Sequence, residues 1–367
     1  MQLDNPAENL VAAHPRAALG HFPTPLEAMD RLGAEIGVAN LWIKREDCSG
    51  LAFGGNKVRP LEFYMGAAQA AGADTILITG AVQSNFMRTA AAAAAKLGLT
   101  CHVQLEERVD GADATYRRSG NILLNRMFGA HFHHFPVGED ESAADDAVVA
   151  RAAALRAAGH RPYVIPLGAE HPPLGGLGYV LCAGELLAQT AAAGIDFDTV
   201  VVGSGSGLTH AGLLAGFRAL GRDDIRVAAM CVRRDADAQR QRMARRMAMM
   251  ADLIQRPGLT GPADLEIDDQ AFFPSYGKLN AATEEALGLF AQREGLLLDP
   301  VYSGKVAAGM IGRARAGDFA AAKGVIFIHT GGQPALFAYE PKLTAVFAGD
   351  SADAAAEAAA EAAASGA

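Results

Sequence analysis

The feature that most constrains this chain is a rhythm. Short apolar runs alternate with segments of helical periodicity along most of its 367 residues. Leu41–Lys44, Thr75–Thr79, Cys101–Leu105, Pro162–Pro166, Thr199–Gly203, Arg226–Val232 and Val325–His329 read as strands. Helical patterns follow most of them, at Lys57–Ala71, Asn85–Leu97, Tyr116–Phe128, Ala144–Ala158, Gly176–Ala193, Leu208–Leu220 and Ala281–Glu294. Strand and helix in alternation predict an α/β fold of mostly parallel, open twisted sheets with helices on both faces, and the length suits two domains. Ligands of such sheets sit at the carboxyl ends of strands, so chemistry is expected in the loops just after them.

Composition narrows the class of function. A formal charge of −9 argues against nucleic acid or an anionic membrane as partner. Arg233, Arg234, Arg240, Arg242, Arg245 and Arg246 form a local basic run, in which Arg242, Arg245 and Arg246 are spaced to share the solvated face of a helix. Cys48, Cys101, Cys182 and Cys231 are too scattered for a zinc or redox motif and read as free thiols in a reducing compartment. The N-terminus lacks a signal-peptide pattern and no apolar run is long enough to span a bilayer, so the cytoplasm is the expected location. His131, His133 and His134 do not match metal-ligand spacing and also read as a short strand, so no metal is expected. Ser351–Ala367, nearly all Ala, Glu, Ser and Gly, reads as a frayed or disordered tail.

Three loops carry the chemistry. Lys44–Lys57 joins a strand to a helix through the glycine pair Gly54–Gly55 and ends on a lysine at the helix start, where the positive end of the dipole favours a neutral amine. Thr79–Arg88 holds Gln83, Ser84 and Asn85. One of the last two is explained as a helix cap, and the free N–H groups there suit a substrate carboxylate. Val201–Gly212 alternates glycine with hydroxyl residues between a strand and a helix, as a phosphate cradle requires. It matches neither the nucleoside-triphosphate loop nor the dinucleotide fingerprint. Ser303 and Thr330 place hydroxyls in two later loops, and Tyr276 and Tyr302 lie in turn-like stretches where half-buried packing explains them equally well. A phosphate loop, a lysine and several hydroxyls without a metal motif suggest pyridoxal 5′-phosphate (PLP).

On EDCSGLAFGGNK (46–57), QSN (83–85), PLGGLGYV (173–180), SGSGLTHAG (204–212), EGLLLDPVYSGK (294–305) and HTGGQPAL (329–336), the chain resembles PLP enzymes of the tryptophan-synthase-β-like fold type II. The likeness is to the branch of D-cysteine desulfhydrase and 1-aminocyclopropane-1-carboxylate (ACC) deaminase, and it runs from Phe22 to about Ala335. It implies two α/β domains with PLP in the cleft between them: a large PLP-binding domain of residues 1–58 and 169–350, and a small domain of residues 59–168. It further implies a homodimer. Carried over, Lys57 holds PLP as a Schiff base, Asn85 bonds its phenolic oxygen, and Ser206, Gly207, Leu208 and Thr209 bind its phosphate. Thr330 faces the pyridine nitrogen, Ser84 sits beside the substrate carboxylate or relays a proton, and Tyr276 and Tyr302 line the substrate pocket.

Two positions separate the branches. ACC deaminases resemble one another in carrying Glu where this chain has Ser303 and Leu where it has Thr330, whereas desulfhydrase-like members carry hydroxyls at both. Ser303 and Thr330 therefore favour α,β-elimination, with D-cysteine giving pyruvate, ammonia and sulfide, and Ser84, Asn85, Phe86 and Ser303 are the expected substrate-binding residues. Segment 46–57 is nearer ACC deaminase, so ring opening to α-ketobutyrate stays open, as do sulfite elimination from cysteate and a catalytically weak PLP-binding homologue. An NAD-dependent oxidoreductase is disfavoured by the missing fingerprint. Two departures bear on the substrate. Phe86 stands where the family often has His or Gln beside the pocket, and Pro60 stands where a basic residue often reaches the phosphate.

Overall fold

The computed structural model describes residues 4–138 and 140–348. The tail expected at 351–367 lies outside the described residues. Among the described residues, ten strands form two sheets: β1 (Leu26–Ala28), β2 (Leu41–Lys44), β3 (Thr75–Ala81), β4 (Thr100–Glu106), β5 (His131–Phe135), β6 (Pro162–Ile165), β7 (Thr199–Ser204), β8 (Arg226–Cys231), β9 (Ile267–Asp268) and β10 (Val325–Ile328). One sheet runs β1-β2-β10-β7-β8-β9 and the other β5-β4-β3-β6. All neighbours are parallel except the β1–β2 pair. The expected class, α/β with two mostly parallel sheets and helices on both faces, is what the fold shows. All seven strands read from periodicity are present, and the histidine-rich run forms β5.

The chain enters the first sheet with β1 and β2, builds the second with β3–β6, then returns to the first with β7–β10. Register binds the two visits: Leu41 pairs with Val325 and Lys44 with Ile328. Strand β3 is buried along its whole length, the mark of a parallel strand covered on both faces. In the six-stranded sheet, Val200, Val202, Ile326 and Ile328 pack on one face with Leu213 and Phe217 of the helix Leu208–Ala219. Val201 and Phe327 pack on the other, in a core with Met310 and Ile311 of the helix Ser303–Arg315. That second core continues into Ile78 and Val103 of the four-stranded sheet, so apolar packing is shared between the sheets.

Two expectations need correction. The helix expected from Tyr116 begins only at Asn121. Gly120 stands before it at φ 56°, outside the right-handed helical region, and a Cβ there would lie 2.7 Å from the Pro334 carbonyl. Arg240, Arg242, Arg245 and Arg246 of the basic run do lie on a helix, Ala236–Leu253, but Arg242 and Arg246 are buried and only Arg245 of the trio is exposed. Helical spacing identifies a shared face; it does not say whether water or protein covers it. Pro60 is buried, packed against Gly175.

Candidate active site

The carboxyl ends of β3, β4, β7 and β10 converge on one cavity between the sheets. Its wall includes Lys57, Ser84, Asn85, Phe86, Tyr276 and Tyr302, with Ser206, Gly207, Thr209 and Thr330 on the side of the six-stranded sheet. Two residues expected at the site are not on this wall. Ser303 is fully buried, and its Oγ donates to Asp299 Oδ1 at 2.7 Å and accepts from the Asp299 N–H at 2.8 Å. It caps a turn rather than meeting a ligand. Leu208 packs in the apolar core and offers the site only its backbone N–H.

Lys57 is the N-cap residue of the helix Val58–Ala70. Its amine has no hydrogen-bond partner among the described residues and lies 5.6 Å from the centre of the Phe86 ring. Loss of hydration pushes its ammonium down to about 8, against the opposing attraction of Asp299. No carboxylate side chain lines the cavity among the described residues. Lys57 is thus the wall group that titrates nearest neutrality.

The loop before Lys57 is strained. Ala52 and Phe53 have φ of 50° and 67°, and Gly54 and Gly55 follow at 63° and 106°. The buried Arg88 holds it, donating to the carbonyls of Ala52 at 2.7 Å and Gly54 at 3.1 Å. Each strained residue costs on the order of 1–3 kcal/mol, and each bond from a charged donor returns a similar amount.

Ser84 is the N-cap of the helix Asn85–Lys96, its Oγ accepting from the Met87 N–H. The cap therefore accounts for Ser84 and leaves Asn85 for another role. Asn121 donates to Asn85 Oδ1 at 2.9 Å, which leaves the Asn85 NH2 for the cavity. Asn121 is itself fixed, giving its N–H to Gln83 Oε1 and its side-chain amide to the Gln83 carbonyl.

The glycine–hydroxyl loop after β7 is held from behind. Arg234 donates to the Gly205 carbonyl, and Arg242 and Arg246 both donate to that of Ser206, at 3.1 and 2.7 Å. With these carbonyls engaged outside, the N–H groups opening the helix Leu208–Ala219 are left for an anion. Asn56 donates to Thr209 Oγ1 at 2.9 Å, joining this loop to the lysine loop. Asn56 N–H also donates to the Thr330 carbonyl.

Tyr276 and Tyr302 hydroxyls are 2.6 Å apart, and burial pushes both phenols up, so both are protonated at neutrality. Arg108, just beyond β4, also reaches the wall. Sequence reasoning missed Arg108, Asn121 and the backing arginines. Arg108 follows a strand end and was open to the loop-after-strand rule, whereas nothing local marks Asn121.

A desolvated lysine, an N–H cradle with hydroxyls and a convergent amide fit PLP: an amine for its aldehyde and a cradle for its phosphate. A family model described as pyridoxal-phosphate dependent enzyme matches residues 17–331. The chain belongs to the pyridoxal-phosphate-dependent enzyme family. Its relatives include an ACC deaminase from Methylobacterium sp. (strain 4-46), 42% identical over 90% of this chain and 98% of that one. Another, from Burkholderia ambifaria (strain MC40-6), is 44% identical over 89% and 96%. Among solved structures, an ACC deaminase homologue superposes with a TM-score of 0.84 at 34% identity, covering 94% of this chain and 100% of that chain. O-ureido-L-serine synthase, at 18% identity and a TM-score of 0.62 over 95% and 98%, shares the fold. PLP is therefore the cofactor, and the enzyme is a PLP-dependent lyase of the ACC deaminase family. No described helix is long and apolar enough to cross a membrane.

Proposed function

We propose that the protein catalyses α,β-elimination on a small β-substituted amino acid, with D-cysteine, giving pyruvate, ammonia and sulfide, as the reference substrate. The observation that carries this is Lys57: an amine near neutrality on a wall of hydroxyls, amides and the guanidiniums of Arg108 and Arg233, with no carboxylate among the described residues. PLP, bound at Lys57 and at the loop 206–209, supplies an electron sink for the substrate Cα. In this reading Ser84 and the N-terminus of the helix Asn85–Lys96 receive the substrate carboxylate. The Asn85 NH2, fixed by Asn121, bonds the cofactor's phenolic oxygen. Lys57 would be the base that takes the substrate's Cα proton. Tyr276 and Tyr302, protonated, supply a proton to the leaving group, and Phe86 makes one wall apolar. Thr330 offers the pyridine nitrogen a neutral hydroxyl. Ser303 bears on the choice only through its turn with Asp299.

ACC deamination is the second reading, favoured by relatives of that name at 42 and 44% identity. Keto-acid identity separates them: pyruvate from D-cysteine supports elimination, and α-ketobutyrate from ACC supports the second. No keto acid from any β-substituted alanine would leave a cofactor-binding protein without this chemistry. We further propose that the two sheets act as lobes, 1–58 with 169–350 and 59–168, in a cytoplasmic homodimer.

A further inference from the structure

We propose that Arg108 adapts this cavity to amino acids whose β-substituent is a tetrahedral oxyanion, a sulfonate or a phosphate or sulfate ester, with Arg108 binding that group as it leaves. This rests on the elimination reading and names its substrate class.

Arg108 sits two residues beyond β4, at the strand ends where ligands of parallel sheets bind. Its side chain is buried, yet it lines the cavity. Nε and Nη2 both donate to Glu106 Oε2, and no described group engages Nη1. The other Glu106 oxygen accepts from Thr79 Oγ1 at 2.8 Å. Glu106 is wholly buried and absent from the wall, so the cavity meets the guanidinium and not the carboxylate. A buried ion pair contributes little that apolar packing would not, so stability alone does not account for an arginine facing a ligand cavity. The cofactor's phosphate does not account for it either. That anion has its own cradle on the other sheet, backed by Arg234, Arg242 and Arg246. Glu106 is the charge beside Arg108, and Tyr276 and Tyr302 share its cavity wall, close enough to couple to it. It therefore stands by the two phenols placed above at the leaving group.

The step balances without oxidant or reductant. Lys57 takes the Cα proton, a double bond forms between Cα and Cβ, and the Cβ–S or Cβ–O bond breaks with its electron pair going to the oxyanion. Cysteate releases sulfite and O-phosphoserine releases phosphate. Water hydrolyses the remaining enamine to pyruvate and ammonium. Negative charge on the departing group rises during this step, and a fixed guanidinium favours that change.

The test uses the PLP-loaded enzyme and keto-acid release. Substrates are both enantiomers of cysteate and O-phosphoserine, with cysteine and β-chloroalanine as neutral comparators. The expected result is a kcat/KM for at least one oxyanion substrate about tenfold or more above the neutral ones. Arg108→Gln should lower that ratio by roughly 10- to 100-fold, and Arg108→Lys by less. Because Arg108→Gln strands a buried carboxylate, the pair Glu106→Gln with Arg108→Gln is measured alongside and should show the same fall. Turnover of neutral substrates at equal or higher kcat/KM, or a ratio that the variants leave in place, overturns this inference and spares the elimination reading. No keto acid from any of these amino acids overturns both.

Discussion

At the scale of single residues, Lys57 depends on its burial and Asn85 on a neighbour, Asn121, that does no chemistry. Burial lowers the Lys57 ammonium to about 8, so capture of PLP by the apoprotein should quicken with pH and level off above about 8. Stopped-flow absorbance of the lysine–cofactor adduct checks this, and an inflection near the ordinary lysine value would mean a hydrated amine. The same shift bears on stability. Between about 8 and 10.5 the unfolded chain holds a proton on Lys57 that the folded apoprotein does not, so this contribution to stability rises with pH across that window. Lys57→Ala should abolish the visible band that borohydride bleaches. Asn121→Ala should cost about 1–3 kcal/mol by leaving buried acceptors on Gln83 and Asn85 unpaired. It should also shift the cofactor absorption, because the Asn85 amide is then free to turn. An unchanged spectrum would remove Asn121 from the positioning of Asn85.

At the scale of elements, the loop after β7 is the joint product of a strand end, a helix start and a second helix behind both. The glycine–hydroxyl pattern after β7 was readable in sequence because its chemistry is local. Its rigidity was not, because it comes from Arg242 and Arg246, some forty residues away in sequence. Arg246→Met should therefore weaken PLP binding about 10-fold, through the loss of a charged donor to the Ser206 carbonyl. Titration of the apoprotein with PLP measures this, and an unchanged affinity would show that the loop holds its shape unaided. The same limit explains the errors at Arg242 and Arg246. A periodic stripe of arginines looks the same on a solvated face and on a face covered by a loop.

At the scale of the whole molecule, a carboxylate links the elements of the two sheets. Glu141, first residue of the helix Glu141–Ala157, follows the four-stranded sheet's β5 and binds Arg233, Arg234 and Arg242 behind the phosphate loop of the other sheet. These guanidiniums hold its carboxyl down at about 2. A lowered carboxyl stabilises the fold above its ordinary value of 4.5, and that contribution is lost as pH falls from there towards 2. Glu46, buried against Arg59, is lowered for the same reason and adds in the same direction. Glu141→Gln should destabilise the protein by about 1–3 kcal/mol at pH 7 and reduce the difference from wild type towards pH 2. Urea midpoints across that range test it; a constant difference would mean that the charge of Glu141 is not what holds it to these arginines.

The sequence by itself determined the α/β class, the seven main strands and the three ligand loops, because alternation, glycine and hydroxyl patterns act over a few residues. It also marked Lys57, Asn85 and Thr209, which stand in those loops. Tertiary structure alone decided which of these side chains meet. It turned Ser303 into a turn cap, placed Thr330 on the wall, aimed Asn85 through Asn121 and brought Arg108 to the cavity. Those outcomes depend on which strand ends face one another across two sheets. Strand order is set by long-range packing, and here it brings residue 44 beside residue 328.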